Sequence, residues 1–311
     1  MSVITVRGPV PAEELGHCQP HEHVIIDAWS TAEWRWESDR VLTDEEEQID
    51  ELRRFKQAGG GTIVDLSVPG IGRDPEALAR ISEACNVHIV MGCGWYRQPY
   101  YPPEVDRTST QDLSCQLIRE IKEGSGPQGI RPGIIGEIGS HKNFVSAQEE
   151  RCFRAAAWAQ RETGLAVSTH SVASAVGLDH LRILLREGVP AERIVIGHCD
   201  SYLRLGYIEA ILEQGAYVQF DNIGYPPPDV SALEDRLIKM ILHLVEQGHL
   251  ERILFSQDIC QRRSLSAYGG PGYTYLLTKF EATLKAAGVS DAQWEQITVK
   301  NPARILDQHA T

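Results

Sequence analysis

Six side chains in this sequence share a chemistry and a position: His21 and His23 of the triplet His21-Glu22-His23, then Glu137, His170, His198 and Asp258. Two histidines one residue apart suit an extended strand, on which side chains at i and i+2 share a face. On a helix they would diverge by roughly 200° and could not meet one ion. The apolar run Val24-Ile25-Ile26 follows directly, so the pair lies on or just past a buried strand. Imidazoles in such a place are costly unless partnered. The other four close apolar runs: Gly133-Ile134-Ile135-Gly136-Glu137, Leu165 to His170, Arg193 to His198, and Arg252 to Asp258. Taken singly each has an ordinary use: Glu137 in a salt bridge, His170 and His198 as satisfied core histidines, Asp258 as a helix cap. Taken together, four imidazoles and two carboxylates exceed what one tetrahedral ion takes. They fit two divalent ions about 3.5–4 Å apart with a carboxylate between them.

The elements that must position these residues form a repeating pattern. Val3-Ile4-Thr5-Val6 and Gly8-Pro9 read as a short extended lead-in, a hairpin that plugs one end of the body. After the His-Glu-His strand comes a loop rich in tryptophan (Trp29, Trp34, Trp36), then a helix starting at Thr43-Asp44-Glu45-Glu46, capped by a hydroxyl with carboxylates in its first turn. Short apolar strands follow at 62–66, 87–94, 133–137, 165–170, 193–198, 216–221 and 252–258, each followed by a helix-length segment. Strand–helix alternation with near-continuous apolar strands indicates a parallel sheet covered by helices. Eight such units in 311 residues favour a closed (β/α)8 TIM barrel, an α/β fold, over an open doubly wound sheet. No strand leads into a G-x-G-x-x-G helix start, which argues against dinucleotide binding. No linker or repeat divides the chain, so residues 1–311 read as one domain. In such a barrel chemistry collects at the C-terminal ends of the strands, where all six candidate residues fall.

Composition bounds the partners. A net charge of -13 without a Lys/Arg stripe argues against nucleic acid or an anionic membrane. No apolar stretch approaches the ~18 residues a membrane span requires, and the start shows no secretory signal. Seven cysteines without a CxxC pair fit buried free thiols in a reducing cytosol. The expectation is a cytoplasmic protein acting on a small molecule.

The motifs His21-Glu22-His23, Ile135-Gly136-Glu137-Ile138-Gly139, Ser168-Thr169-His170, Ile196-Gly197-His198-Cys199-Asp200, Phe220-Asp221-Asn222-Ile223-Gly224, Ser256-Gln257-Asp258 and Asn301-Pro302-Ala303-Arg304 occur in order along the whole chain. In this the sequence resembles the phosphotriesterase family of the amidohydrolase superfamily. The resemblance implies a binuclear metal centre, usually zinc, with Mn2+, Co2+ or Fe2+ as alternatives, and a homodimer as a common assembly. It places His21, His23 and Asp258 on the more buried ion and His170 and His198 on the more exposed one. Glu137 stands where the best-known members carry a carboxylated lysine, as in a subset of homologues, so no carbamate is needed. It also separates this chain from mononuclear deaminases, which lack a carboxylate there.

The expected reaction is attack by a metal-bridging hydroxide on a carboxylic ester or lactone, with Asp258 taking the proton and passing it to the leaving group. Hydrolysis of a phosphotriester or phosphonate ester is the alternative, and a non-catalytic metal-binding barrel the third reading. Asn222 occupies the place where family phosphotriesterases carry a histidine and lactone-hydrolysing relatives an arginine, so neither role transfers. The expected pocket walls are Trp95, Tyr96, Tyr225 and Tyr268, with Asn222 beside them and Arg262 or Arg263 as an anion contact.

Overall fold

The computed structural model describes residues 2–28, 38–224 and 230–308. Eight parallel strands form one sheet in chain order: His17–Glu22, Gly60–Asp65, His88–Cys93, Ile134–Gly139, Val167–His170, Ile194–Ile196, Tyr217–Phe220 and Ile253–Phe255. The helices Glu45–Gln57, Pro75–Cys85, Thr110–Glu123, Ala147–Thr163, Gly177–Arg186, Leu205–Leu212 and Val230–Glu246 follow the first seven strands, and shorter helices follow the eighth. This is the (β/α)8 barrel that the alternation implies.

The period of two along each strand explains the two-layered packing. Cys18, Val64, Val90, Ile134, Val195, Tyr217 and Leu254 belong to one buried cluster inside the barrel. Their sequence neighbours Ile63, Ile89, Ile135, Val218 and Ile253 belong instead to the clusters between sheet and helices. The hairpin Ser2–Thr5 with Gly8–Pro11 closes the N-terminal mouth, as expected: Val3 enters the interior cluster and Val6 N donates to Ile89 O at 2.9 Å.

The seam between the eighth and first strands is joined by the Ser256 hydroxyl, the Glu22 carboxylate and a backbone hydrogen bond. Ser256 Oγ accepts from His21 N at 2.9 Å and faces the Glu22 carboxylate at 2.7 Å, while Asp258 N donates to His21 O at 3.2 Å. The first and last parts of the chain therefore meet at the residues of interest.

The first helix departs from expectation in one detail. Its cap is Asp44, not the hydroxyl of Thr43: Asp44 Oδ1 accepts from Glu46 N and Glu47 N at 3.1 and 3.2 Å. An ionised acceptor at the positive end of the helix is the stronger cap. All seven thiols are free and all but Cys115 are buried. Among the described residues, no helix is long and apolar enough to cross a membrane.

Candidate metal centre

All six residues singled out in the sequence meet at the C-terminal end of the barrel, around Glu137. Its Oε2 lies 3.2 Å from His21 Nε2, 3.0 Å from His170 Nδ1 and 3.6 Å from His198 Nε2; its Oε1 lies 3.7 Å from His23 Nε2. Asp258 Oδ1 is 3.2 Å from His23 Nε2 and 3.7 Å from His21 Nε2. His21 and His23 share a face of the strand end, with ring centres 5.7 Å apart. Two donor groups result, His21 with His23 and Glu137, and Glu137 with His170 and His198; Glu137 belongs to both.

Local backbone chemistry explains how Glu137 gets between the rings. Gly136 has φ +142°, and a Cβ there would stand 2.5 Å from Ser168 O; one on Gly139 would stand 2.6 Å from His170 Cβ. The glycines on either side of Glu137-Ile138 are therefore what lets the fourth strand lie close enough to the fifth for Glu137 to reach His170.

A surrounding ring of polar groups orients the donors, and the sequence reading assigned no role to it. Asp221, at the end of the seventh strand, approaches His21 Nδ1 at 2.9 Å and His198 Nδ1 at 2.7 Å. It also accepts from His198 N. His21, His198 and Asp221 are close enough to form a third donor group. However, Asp221 meets both rings on the side opposite the Nε2 atoms that face Glu137, so it orients the rings from behind rather than joining them around Glu137. Ser67 Oγ holds His23 Nδ1 at 3.0 Å, and Tyr96 OH lies 3.3 Å from His170 Nε2.

Glu22, the middle residue of the triplet, points away from its neighbouring histidines and clamps the loop that carries Asp258. It accepts from Ser256 Oγ, from Gln257 N at 2.7 Å and from Ile259 N at 2.8 Å. Burial raises its carboxyl to about 7, against those hydrogen bonds, which lower it. Asp65 does the same for the loop after the first strand, accepting from Val24 N at 2.6 Å and Ile25 N at 3.2 Å.

The charge balance decides what this cluster requires. Glu137, Asp221 and the four histidine rings are buried, and the Asp258 side chain is only 15% exposed. Burial pushes Glu137 up, yet His170 and His21 outweigh it and hold the carboxyl well below its usual range. Burial lowers His198, but Asp221 prevails and raises it to about 10; His21 is raised likewise, against burial, by Glu137 and Asp221. His170 stays neutral, lowered to about 4 by burial. Two imidazolium charges with ring centres 4.8 Å apart repel by about 3 kcal/mol at an effective dielectric of about 20. Unpaired buried carboxylates would cost more. The cluster thus demands positive charge, from protons on His21 and His198 or from divalent ions in their place.

Divalent ions fit better than protons. His21 Nε2 is buried and makes no hydrogen bond, and His170 Nδ1 and His198 Nε2 lie 2.7 Å apart, both turned to Glu137. The donors are nitrogen and oxygen, as borderline divalent metals prefer.

The centre opens into a pocket of about 570 Å³ whose lining includes Tyr96, Arg97, Lys142, Asn222 and Cys260. Burial holds the Cys260 thiol well above its usual value, so it is a neutral wall rather than a nucleophile. Of the expected walls, Tyr96 and Asn222 line this pocket. Trp95 does not: it packs in the core cluster with Val105, Leu113 and Ile138, since consecutive residues leaving a strand face opposite ways. Arg262, Arg263 and Tyr268 are not among its described lining residues. Arg263 N is tied to Asp39 at 2.9 Å, Arg262 stacks 5.7 Å from the Tyr268 ring centre, and Tyr268 is 51% exposed. Tyr225, Trp29, Trp34 and Trp36 fall outside the described residues.

Comparison with known proteins agrees with this geometry. A family model described as the phosphotriesterase family matches residues 1–306. The phosphotriesterase homology protein of Escherichia coli is 32% identical, over 94% of this chain and 99% of its own. Its crystal structure, complexed with phosphate in the active site, superposes with a TM-score of 0.88 at 31% identity over the same shares. The human N-acetyltaurine hydrolase is 32% identical over 85% of this chain and 78% of its own. A lactonase from Listeria monocytogenes is 27% identical with a TM-score of 0.89, over 99% of this chain and 100% of that one. A barrel with these strand ends, matched nearly end to end by the family's own pattern, leaves one conclusion: the chain belongs to the phosphotriesterase family.

Proposed function

We propose that this protein is a binuclear metal-dependent hydrolase that cleaves a carboxylic ester, a lactone or an amide. The observation that carries this reading is the position of Glu137, shared between two donor groups. His21, His23 and Asp258 would hold one ion, His170 and His198 the other, and Glu137 both. Zinc suits these donors, and Mn2+, Co2+ and Fe2+ are accepted by the same set. When bound, a pair of divalent ions activates water at neutral pH and polarises the bond under attack.

The chain's own residues supply the rest. Asp258 is the only carboxylate of the centre whose side chain retains appreciable solvent contact, at 15%, so it is the group placed to take the proton of the attacking water and return it to the leaving group. Asp221 and Ser67 fix the ring orientations of His21, His198 and His23. Tyr96 braces His170 and forms part of the pocket wall.

Relatives named as a lactonase and as an N-acetyltaurine hydrolase support a carbonyl centre. A phosphoryl centre is the second reading, favoured by the phosphate in the Escherichia coli relative. The test is metal content of the purified protein, paired with hydrolysis of lactones, aryl and sugar esters, N-acyl amines and aryl phosphotriesters. About two ions per chain with metal-dependent turnover of a carbonyl substrate is the expected result. Failure to bind metal on reconstitution, or turnover that survives chelation, would overturn the reading.

A further inference from the structure

Asn222 follows Asp221 at the exit of the seventh strand, is half-buried, and lines the pocket with His198, Glu137 and Asp258. Its amide nitrogen is committed. Nδ2 donates to Asp200 Oδ1 at 2.7 Å and to Asp221 Oδ1 at 3.3 Å, and its backbone N–H donates to Asp200 Oδ2 at 2.7 Å. An asparagine amide carries two N–H donors and an oxygen with two acceptor sites. Against burial, Asp221 is held ionised by His198 and His21, so a flipped amide would set its oxygen against the Asp221 carboxylate, and this contact fixes the orientation. The carboxylates are themselves anchored: Asp221 by His198 N and Gln219 Nε2, and Asp200 by the 3-10 turn Cys199–Tyr202 that follows His198. With its donors spent, Asn222 has only its carbonyl oxygen to offer the pocket.

We propose that Asn222 Oδ1 is a fixed hydrogen-bond acceptor that selects substrates carrying an N–H or O–H donor near the scissile carbonyl, such as secondary amides and hydroxylated acyl groups. This rests on the hydrolase reading and narrows its substrate class. A histidine or arginine at this place would present a donor; Asn222, clamped by two carboxylates, presents the opposite polarity. A ligand without a donor leaves the oxygen desolvated and unpaired, which corresponds to a preference of about 10- to 100-fold.

The test is binding, read by calorimetry on the metal-loaded protein with two matched pairs. One pair is N-acetyltaurine and its N-methyl derivative; the other is α-hydroxy-γ-butyrolactone and its α-methoxy counterpart. The wild type should favour the donor-bearing member of at least one pair by about 10- to 100-fold. Asn222→Leu, which keeps the volume and removes the acceptor, should bring that ratio close to one. A purely structural role would weaken both members equally and leave the ratio unmoved. Asp200→Asn, which leaves Asn222 in place and loosens its clamp, is the second variant should the first fail to fold; it too should lower the ratio. Equal affinities in the wild type, a ratio unchanged in the folded variant, or no binding of either donor-bearing probe at millimolar concentration would overturn the proposal. Absence of turnover on every substrate class would instead overturn the hydrolase reading, while the binding ratio still decides the role of Asn222.

Discussion

Asp221 Oδ1 lies 2.7 Å from His198 Nδ1, and this contact turns the opposite nitrogen of the ring toward Glu137. The carboxylate fixes which nitrogen carries the proton and which is free to bind. Asp221→Asn should keep the fold but lose that preference, because a neutral amide can donate to or accept from the ring. Metal affinity should fall about 10- to 100-fold. Competition with a metal-chelating dye measures it, and unchanged affinity would remove Asp221 from this role.

Glu137 offers one oxygen to His21, His170 and His198 and the other to His23. Glu137→Ala should therefore lower the metal content from two ions per chain towards one, read by elemental analysis after gel filtration. Two tightly retained ions in the variant would refute the shared position.

Asp258→Asn removes a charge while keeping the side chain's shape beside His23. The thermal midpoint should move by only a few degrees, since the clamp on this loop is made by Glu22 to Gln257 N and Ile259 N and is untouched. Turnover should drop by about 10²- to 10⁴-fold, the range for loss of a positioned proton acceptor. Near-normal turnover would take Asp258 out of the chemistry.

Acid stability should follow two buried histidines outside the donor cluster. Burial lowers His17 from 6.5 to about 4 and His180 from 6.5 to about 3. Below pH 6.5 the unfolded chain takes up protons that the folded chain refuses, so stability is full above 6.5 and falls as pH drops towards 4. Each group contributes a slope of at most about 1.4 kcal/mol per pH unit in that window. Urea unfolding at stepped pH should show a shallower slope in His17→Leu than in the wild type, and identical slopes would mean that His17 is protonated in the fold.

How much of this was legible beforehand can be judged residue by residue. The barrel was, because apolar runs of strand length separated by capped helices leave few other arrangements. So was the gathering of His21, His23, Glu137, His170, His198 and Asp258, because each ends or interrupts such a run. Asp221 met the same criterion, a carboxylate closing the run Ala216 to Phe220, and its role was still missed. Nothing in a sequence distinguishes a ligand from the group that orients one. Glu22 was hidden by its neighbours: the period of two that joins His21 to His23 sends Glu22 the other way, towards the seam. The pocket walls were the least legible, since Trp95 and Tyr96 are adjacent aromatics and only the direction in which the chain leaves the strand decides which is core. Arg262, Arg263 and Tyr268 were no more legible: the loop after the eighth strand gives Cys260 to the pocket, while Arg263 N is held by Asp39 and Tyr268 is exposed.

The Glu22 clamp has a consequence for how the protein comes into being. The carboxylate that closes the barrel seam is made before its partners Ser256, Gln257 and Ile259, which follow it by 234 to 237 positions along the chain. A nascent chain halted before residue 256 would hold every histidine of the centre, yet Glu22 would lack its partners and Asp258 would not exist. On the proposed binuclear reading, tight metal uptake waits for the last strand, since only then are Asp258 and the partners of Glu22 in place.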